Sequence, residues 1–180
     1  DLGPYTCGHR ELSTTYSVPG GIGARTIPVH VWYPSNATEG DHPVYRNVFP
    51  DEHAFEGVPL ASPLWKSGLP VLVHSHGHKG FAGNSARLMC HFASHGWVAI
   101  APDHLGFGQS EHPEHFSYLP TDHAENLAAL LDALAAVRAA ILPVGVQVHL
   151  VDIREQVADG ERIDRAGVLE DLDHALLSVR

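Results

Sequence analysis

The stretch from Pro70 to Pro102 constrains the fold more than any other part of this chain. Pro70-Val71-Leu72-Val73-His74 is a short apolar, β-branched run, the pattern of a strand buried on both faces. It runs into His76-Gly77-His78-Lys79-Gly80, a loop punctuated by glycine. Asn84 or Ser85 can cap a helix, in which Leu88, Met89, Phe92 and Ala93 recur at helical spacing. Gly96 stands where a left-handed C-terminal cap is wanted. Trp97-Val98-Ala99-Ile100-Ala101 is a second fully apolar strand, stopped by Pro102-Asp103. Strand, loop, helix and strand in this order make a βαβ unit, which needs a parallel pair and a crossover. Residues 70–77 and 97–101 are therefore expected to be parallel neighbours or near-neighbours in one sheet, joined through a helix at 84–95.

The flanks extend that unit into an α/β domain. Residues 11–18 are rich in β-formers, Pro19-Gly20-Gly21 make a turn, and Thr26 to Tyr33 alternate as a second strand. Together they predict an antiparallel entry pair, with Pro28 placing the second strand at a sheet edge. Residues 34–69 are polar and carry Pro34, Pro43, Pro50, Pro59 and Pro63, so they read as a long loop or insertion. Phe49, Phe55, Leu60, Leu64 and Trp65 are expected to dock it on the core. After a histidine-bearing loop, Thr121 is the expected N-cap of a helix, with Asp122 in its first turn. Its apolar stripe is Leu127, Leu130, Leu131, Leu134, Val137 and Ile141, and Pro143 and Gly145 end it. Val144 to Val151 alternate like a strand or connect two helices. Asp164 caps a last helix carrying Val168, Leu169, Leu172, Leu176 and Val179. Residues 1–180 read as a single domain.

Composition narrows the partners. Eleven basic against twenty-one acidic side chains give a formal charge of −10, which argues against nucleic acid and anionic membranes. No apolar run approaches the ~18 residues of a membrane span. Cys7 and Cys90 are two thiols, free or paired in an oxidising compartment. Asn36-Ala37-Thr38 matches the N-glycosylation pattern, which is common by chance. The chain starts at Asp1 rather than Met, so it is expected to be a processed protein or an excerpt. Secreted, periplasmic and cytoplasmic locations all fit.

Four pieces in order resemble the α/β-hydrolase superfamily, and within it the platelet-activating-factor acetylhydrolase and dienelactone-hydrolase-like branch. Val31-Trp32-Tyr33-Pro34 resembles that branch's second-strand ending. Leu72-Val73-His74-Ser75-His76-Gly77-His78 resembles its third strand running into the oxyanion loop. Ala93-Ser94-His95-Gly96-Trp97-Val98-Ala99 resembles the end of its first helix and the start of its fourth strand. Asp103-His104-Leu105-Gly106-Phe107-Gly108-Gln109-Ser110 resembles the loop that follows. The resemblance covers residues 25–110 well and the remainder loosely. It implies the N-terminal part of an α/β-hydrolase sheet, with antiparallel entry strands and then a parallel βαβ unit. It also implies a serine-type carboxylic-ester hydrolase, with short acyl esters of lipids among its substrates, acting through an acyl-enzyme and needing no cofactor. Ester hydrolysis passes through a tetrahedral oxyanion that backbone N–H groups in a tight loop stabilise. Carried over, the donor is the backbone N–H of His78, with Gly77 shaping the loop.

The nucleophile elbow of that fold, Gly-x-Ser-x-Gly, is incomplete at every serine tested. Ser75 and Ser94 have Val73 and Phe92 in place of the first glycine, and Ser85 and Ser110 have Arg87 and His112 in place of the second. The resemblance therefore places the nucleophile, and with it the acid and base, beyond Arg180, so no catalytic residue is expected within the chain. The missing part would be the rest of the domain or a second chain.

Two rival readings remain. His74, His76 and His78 alternate, and an extended strand would point all three to one face. With His91, His95, His104, His112 and His115 they raise a metal-binding or metal-dependent hydrolase. His74-Ser75-His76-Gly77-His78-Lys79 departs from the metallo-β-lactamase-like His-x-His-x-Asp-His loop, with His78 in the place of Asp and Lys79 in that of the last His. His91 and His95 lack the Glu of a His-Glu-x-x-His site. No metal is assigned on these grounds. The third reading is a non-catalytic, hydrolase-like chain that binds a partner.

Overall fold

The computed structural model describes residues 1–18, 23–61 and 69–141. Its main sheet has five strands: β1 (Thr6–Ser17), β2 (Ala24–Ser35), β5 (Ala54–Glu56), β6 (Val71–Val73) and β7 (Val98–Pro102), in the order β5-β1-β2-β7-β6. A small hairpin, β3 (Val44–Tyr45) with β4 (Phe49–Pro50), stands apart from it. β1 and β2 pair antiparallel along their whole length, from Thr6 opposite Ser35 to Ser17 opposite Ala24. β6 and β7 pair parallel, Val71 opposite Val98, as the βαβ reading requires. The Val98 N–H bonds to the Pro70 carbonyl, and the His74 N–H bonds to the Ile100 carbonyl at 2.7 Å, so pairing continues past the three residues of β6.

Between β6 and β7 the chain forms a 3-10 turn (Ala82–Ser85) and then α1 (Ala86–Ser94). Asn84 Oδ1 accepts the Phe81 N–H at 2.9 Å, whereas Ser85 makes no capping bond. The buried face of α1 is Ala86, Met89, Cys90 and Ala93. That stripe corrects one expectation: Leu88 lies off it and is 49% exposed. Gly96 ends the helix with φ 92°; its N–H bonds to Ala93 and the Trp97 N–H to Phe92, the paired bonds of a Schellman cap.

The sheet is covered on both faces, and the alternation of the strands sorts the core. Cys7, Trp32, Leu72, Ala99 and Ala101 pack with Ala86, Met89, Cys90 and Ala93 of α1. The alanines keep that layer thin, so the helix lies close to the strands. Val29, Val31, Tyr33, Val71 and Val98 cluster on the other side with Leu130 of α2 (Pro120–Ile141). Leu127 and Leu134 join that cluster, as the stripe predicted. The helix starts at Pro120, not after Thr121: proline at a first helical position gives up an N–H that would have no partner there.

Two further expectations change. β2 is an inner strand, paired with β1 on one side and antiparallel to β7 on the other, so Pro28 does not mark an edge. Pairing with β7 spans Val29–Trp32, and Pro28 contributes only its carbonyl, which accepts the Asp103 N–H. A residue with no N–H is tolerated where the ladder asks only for an acceptor. The 34–69 segment is more than a loop. It supplies β5, parallel to β1, and the β3–β4 hairpin. Its anchor is Tyr45, 4% exposed, which accepts a bond from Trp32 Nε1 at 2.9 Å and donates to Asp51 at 2.7 Å. Leu60 packs on the core and Phe55 stacks on His42, but Phe49 is half exposed and stacks on Phe81. The Pro19-Gly20-Gly21 turn, Leu64 and Trp65, and the expected elements at 144–151 and 164–179 lie outside the described residues.

Candidate functional site

The two parallel strands end side by side, and their following loops make the site. After β6 the chain runs through Ser75 and His76 into a tight turn, Gly77 to Gly80, closed by the Gly80 N–H on the Gly77 carbonyl at 2.9 Å. Lys79 takes the left-handed conformation, φ 61°, as the third residue of that turn. His78 is exposed at its tip. Among the described residues no acceptor meets its backbone N–H. Gly77 has open space where a Cβ would stand and no left-handed φ. Glycine there leaves the surface beside the His78 N–H uncovered. The tight approach in this turn is at Gly80, where a Cβ would lie 2.9 Å from the Gly77 oxygen.

The loop after β7 holds this turn from behind. His76 is buried, and its ring is bonded at both nitrogens: Nδ1 meets the Gly77 carbonyl at 3.0 Å and Nε2 accepts the His104 N–H at 3.1 Å. Since a carbonyl only accepts, the proton sits on Nδ1. Ser75 Oγ is exposed and lies 2.8 Å from His104 Nε2. Burial lowers the His104 imidazole to about 4, with help from His76, His123 and His74. Burial also lowers His74, followed by His76.

Asp103, fully buried, clamps the arrangement. Its Oδ1 accepts the Ala82 N–H at 2.5 Å, its Oδ2 the Gln109 N–H at 2.7 Å, and its carbonyl the Ser110 hydroxyl at 2.6 Å. One carboxylate thus ties the loop after β7 to the 3-10 turn before α1. Gly108, φ 57°, makes room: a Cβ there would fall 2.1 Å from Asp103 Oδ2. In the sequence Asp103 reads as a strand stop and the start of a loop, with no role of its own. The signal was Pro102-Asp103 at a strand end with Gly106 and Gly108 shortly after.

The three alternating histidines do not converge. β6 ends at Val73, so His74 is half-buried, His76 turns inward and His78 is exposed. With both ring nitrogens of His76 engaged, none is left for a ligand bond. Among the described residues no group of three or more His, Cys, Asp or Glu side chains could hold a metal ion. His91 and His95 lie against each other at the end of α1, 4.5 Å between centroids with their rings tilted by 47°, away from this loop. A second histidine pair is buried across β1 and β2: His9 Nε2 and His30 Nδ1 are 3.0 Å apart, with Glu56 at 2.5 Å from His9 Nδ1. Burial lowers His9 even against that carboxylate.

No protein-family model matches the chain, and no curated protein matches it. Solved structures do. A ferulic acid esterase from Streptomyces cinnamoneus is similar at 22% identity and a TM-score of 0.52, over 81% of this chain and 49% of that one. An acetyl xylan esterase from Paenibacillus sp. R4 is similar at 19% identity and a TM-score of 0.37, over 78% of this chain and 40% of that one. A hypothetical protein from Pseudomonas aeruginosa is similar at 19% identity and a TM-score of 0.46, over 79% of this chain and 35% of that one. The chain spans about half the length of the first of these. Its fold is the N-terminal part of the α/β-hydrolase fold: a mixed sheet with antiparallel entry strands and a parallel βαβ unit.

Proposed function

We propose that the protein carrying this chain is a serine-type carboxylic-ester hydrolase of the platelet-activating-factor acetylhydrolase and dienelactone-hydrolase-like kind. In this reading His78 offers its backbone N–H to the oxyanion, and Gly77 leaves room for the substrate carbonyl. Residues 1–180 form the N-terminal portion of one hydrolase domain. The nucleophile and its two partners belong to a segment outside them. The observation that carries the reading is the His78 N–H, which has no acceptor among the described residues, at the tip of a turn braced by His76, His104 and Asp103. A donor fixed before the charge develops is what oxyanion stabilisation requires. Likeness of fold to a ferulic acid esterase supports an ester substrate only as a class.

The test separates the N–H from the ring. In the whole protein, His78→Ala keeps the N–H and is expected to retain kcat. His78→Pro removes it and is expected to lose roughly 10²–10³ in kcat. Equal effects of the two substitutions would count against the assignment.

A second reading is favoured by one distance, Ser75 Oγ to His104 Nε2 at 2.8 Å, the reach of a nucleophile and its base. Two facts oppose it. An imidazole held at about 4 is a weak base at neutral pH, where a catalytic base works best near the operating pH. Ser75 also lacks the preceding glycine, Val73 standing in its place, and the strand-to-helix turn of an elbow.

A further inference from the structure

We propose that Cys7 and Cys90 form a disulfide that staples β1 to α1 when the protein folds in an oxidising compartment. Both side chains are free thiols, 4% and 2% exposed, in one apolar cluster between the sheet and the helix. Cys7 lies on the strand and Cys90 on the helix that this cluster joins. Alanines at 54, 86, 93 and 99 share the cluster, and small neighbours leave a sulfur pair room to settle.

The backbone on either side is already held. The Gly3 N–H donates to Ser94 Oγ at 2.9 Å and the Tyr5 N–H to the Ser94 carbonyl at 3.1 Å, pinning the approach to β1 against the end of α1. Cys7 itself is paired across the sheet with Pro34 on one side and Ala54 on the other. A disulfide needs its two Cα atoms within about 7 Å and side chains that face each other. Burial of both thiols in one cluster, between a strand and a helix pinned to each other, favours both conditions. The chain has two cysteines, so one intramolecular connectivity exists within it.

The step is a pair of thiol–disulfide exchanges. One cysteine thiolate attacks a sulfur of a small disulfide of the oxidised-glutathione class and expels one small thiol. The other cysteine then attacks the mixed disulfide and expels the second. The protein loses two electrons and two protons, and the small disulfide takes them up as two thiols. Burial raises the Cys7 thiol far above its ordinary range, and Cys90 raises it further, so the closed core suppresses the thiolate that would attack. The exchange belongs to folding, before the core closes. Afterwards the same burial shields the bond from reductants.

The test uses the whole protein, expressed into an oxidising compartment and isolated without reductant. It is denatured, alkylated, digested and mapped by mass. The expected result is a linked peptide pair joining Cys7 to Cys90, about 2 Da lighter than the two thiols, with neither cysteine alkylated until reductant is added. Cys90→Ala should expose Cys7 to alkylation at once. Because alkylation follows denaturation, the wild-type map stands even where the variant folds poorly. Full alkylation of both cysteines without reductant overturns the proposal. So does a linkage of either cysteine to another thiol.

Discussion

Ser75 Oγ and His104 Nε2 lie 2.8 Å apart, joining the exit of β6 to the exit of β7 at the surface of the sheet's C-terminal edge. This contact can belong to a nucleophile or to a brace. The low titration of His104 favours the brace. His76, bonded to the His104 N–H, and Asp103, bonded to Ala82, hold the two loops in the same way.

Asp103 should be the costliest residue of that brace to remove. Asp103→Ala leaves the Ala82 and Gln109 N–H groups without their acceptor at a fully buried site. The expected loss is about 2–5 kcal/mol of unfolding free energy. Ser75→Ala removes one exposed hydroxyl and should cost under about 1 kcal/mol. Urea titrations of the two variants beside the wild type measure both. Equal losses would remove Asp103 from its role as the clamp.

Acid should destabilise the protein through buried histidines. His30 and His104 are both held at about 4, first by burial, then by His9 for the former and by His76 for the latter. The unfolded chain protonates these rings nearer 6.5, so it takes up protons before the folded one does. Their contribution is fully present above about pH 6.5 and is lost as pH falls toward about 4, by at most about 3 kcal/mol per ring. Urea midpoints should fall steadily between about pH 7 and about pH 5, and His104→Gln should flatten the slope. A midpoint that rises or stays level over that window contradicts the assignment.

The parts of the fold visible in the sequence were those written locally. The β6–α1–β7 unit shows in two short apolar runs, and Gly96 adopts the left-handed φ expected of a helix end. The turn carrying His78 shows in its glycines. Other parts depend on residues brought together from a distance. β5 has three residues and becomes a strand only by lying against β1. Pro28 reads as an edge marker until β7 is seen to ask only for its carbonyl. Leu88 reads as core because it is large, while Cys90, a small apolar side chain, fills that layer instead. The bonds of Ser75 and Asp103 cross between separate loops and leave no periodic trace.

Tyr45 gives a compact check on the 34–69 segment. Its hydroxyl accepts from Trp32 and donates to Asp51 in a buried position. Tyr45→Phe should cost about 1–3 kcal/mol by leaving the Trp32 N–H and an Asp51 oxygen without partners. Thermal or urea unfolding measures this, and a neutral result would place the hairpin off the core.

Metal removal should be silent. With the His76 ring bonded at both nitrogens, incubation with chelator is expected to leave the thermal midpoint unchanged within error. Structural zinc contributes on the order of 10 kcal/mol or more in small domains, so a drop of many degrees restored by zinc would revive the metal reading.

The most direct measurement is labelling with a fluorophosphonate probe, read by peptide mass. The 180-residue chain alone should not label, and it should cleave p-nitrophenyl acetate no faster than a histidine-rich control protein. A longer protein that contains it should label once, on a serine outside this sequence, beside a base and an orienting acid. Stoichiometric labelling of the 180-residue chain at Ser75, abolished by Ser75→Ala, would contradict the account and make His104 the base of a nucleophile rather than a brace of the turn proposed to hold the oxyanion.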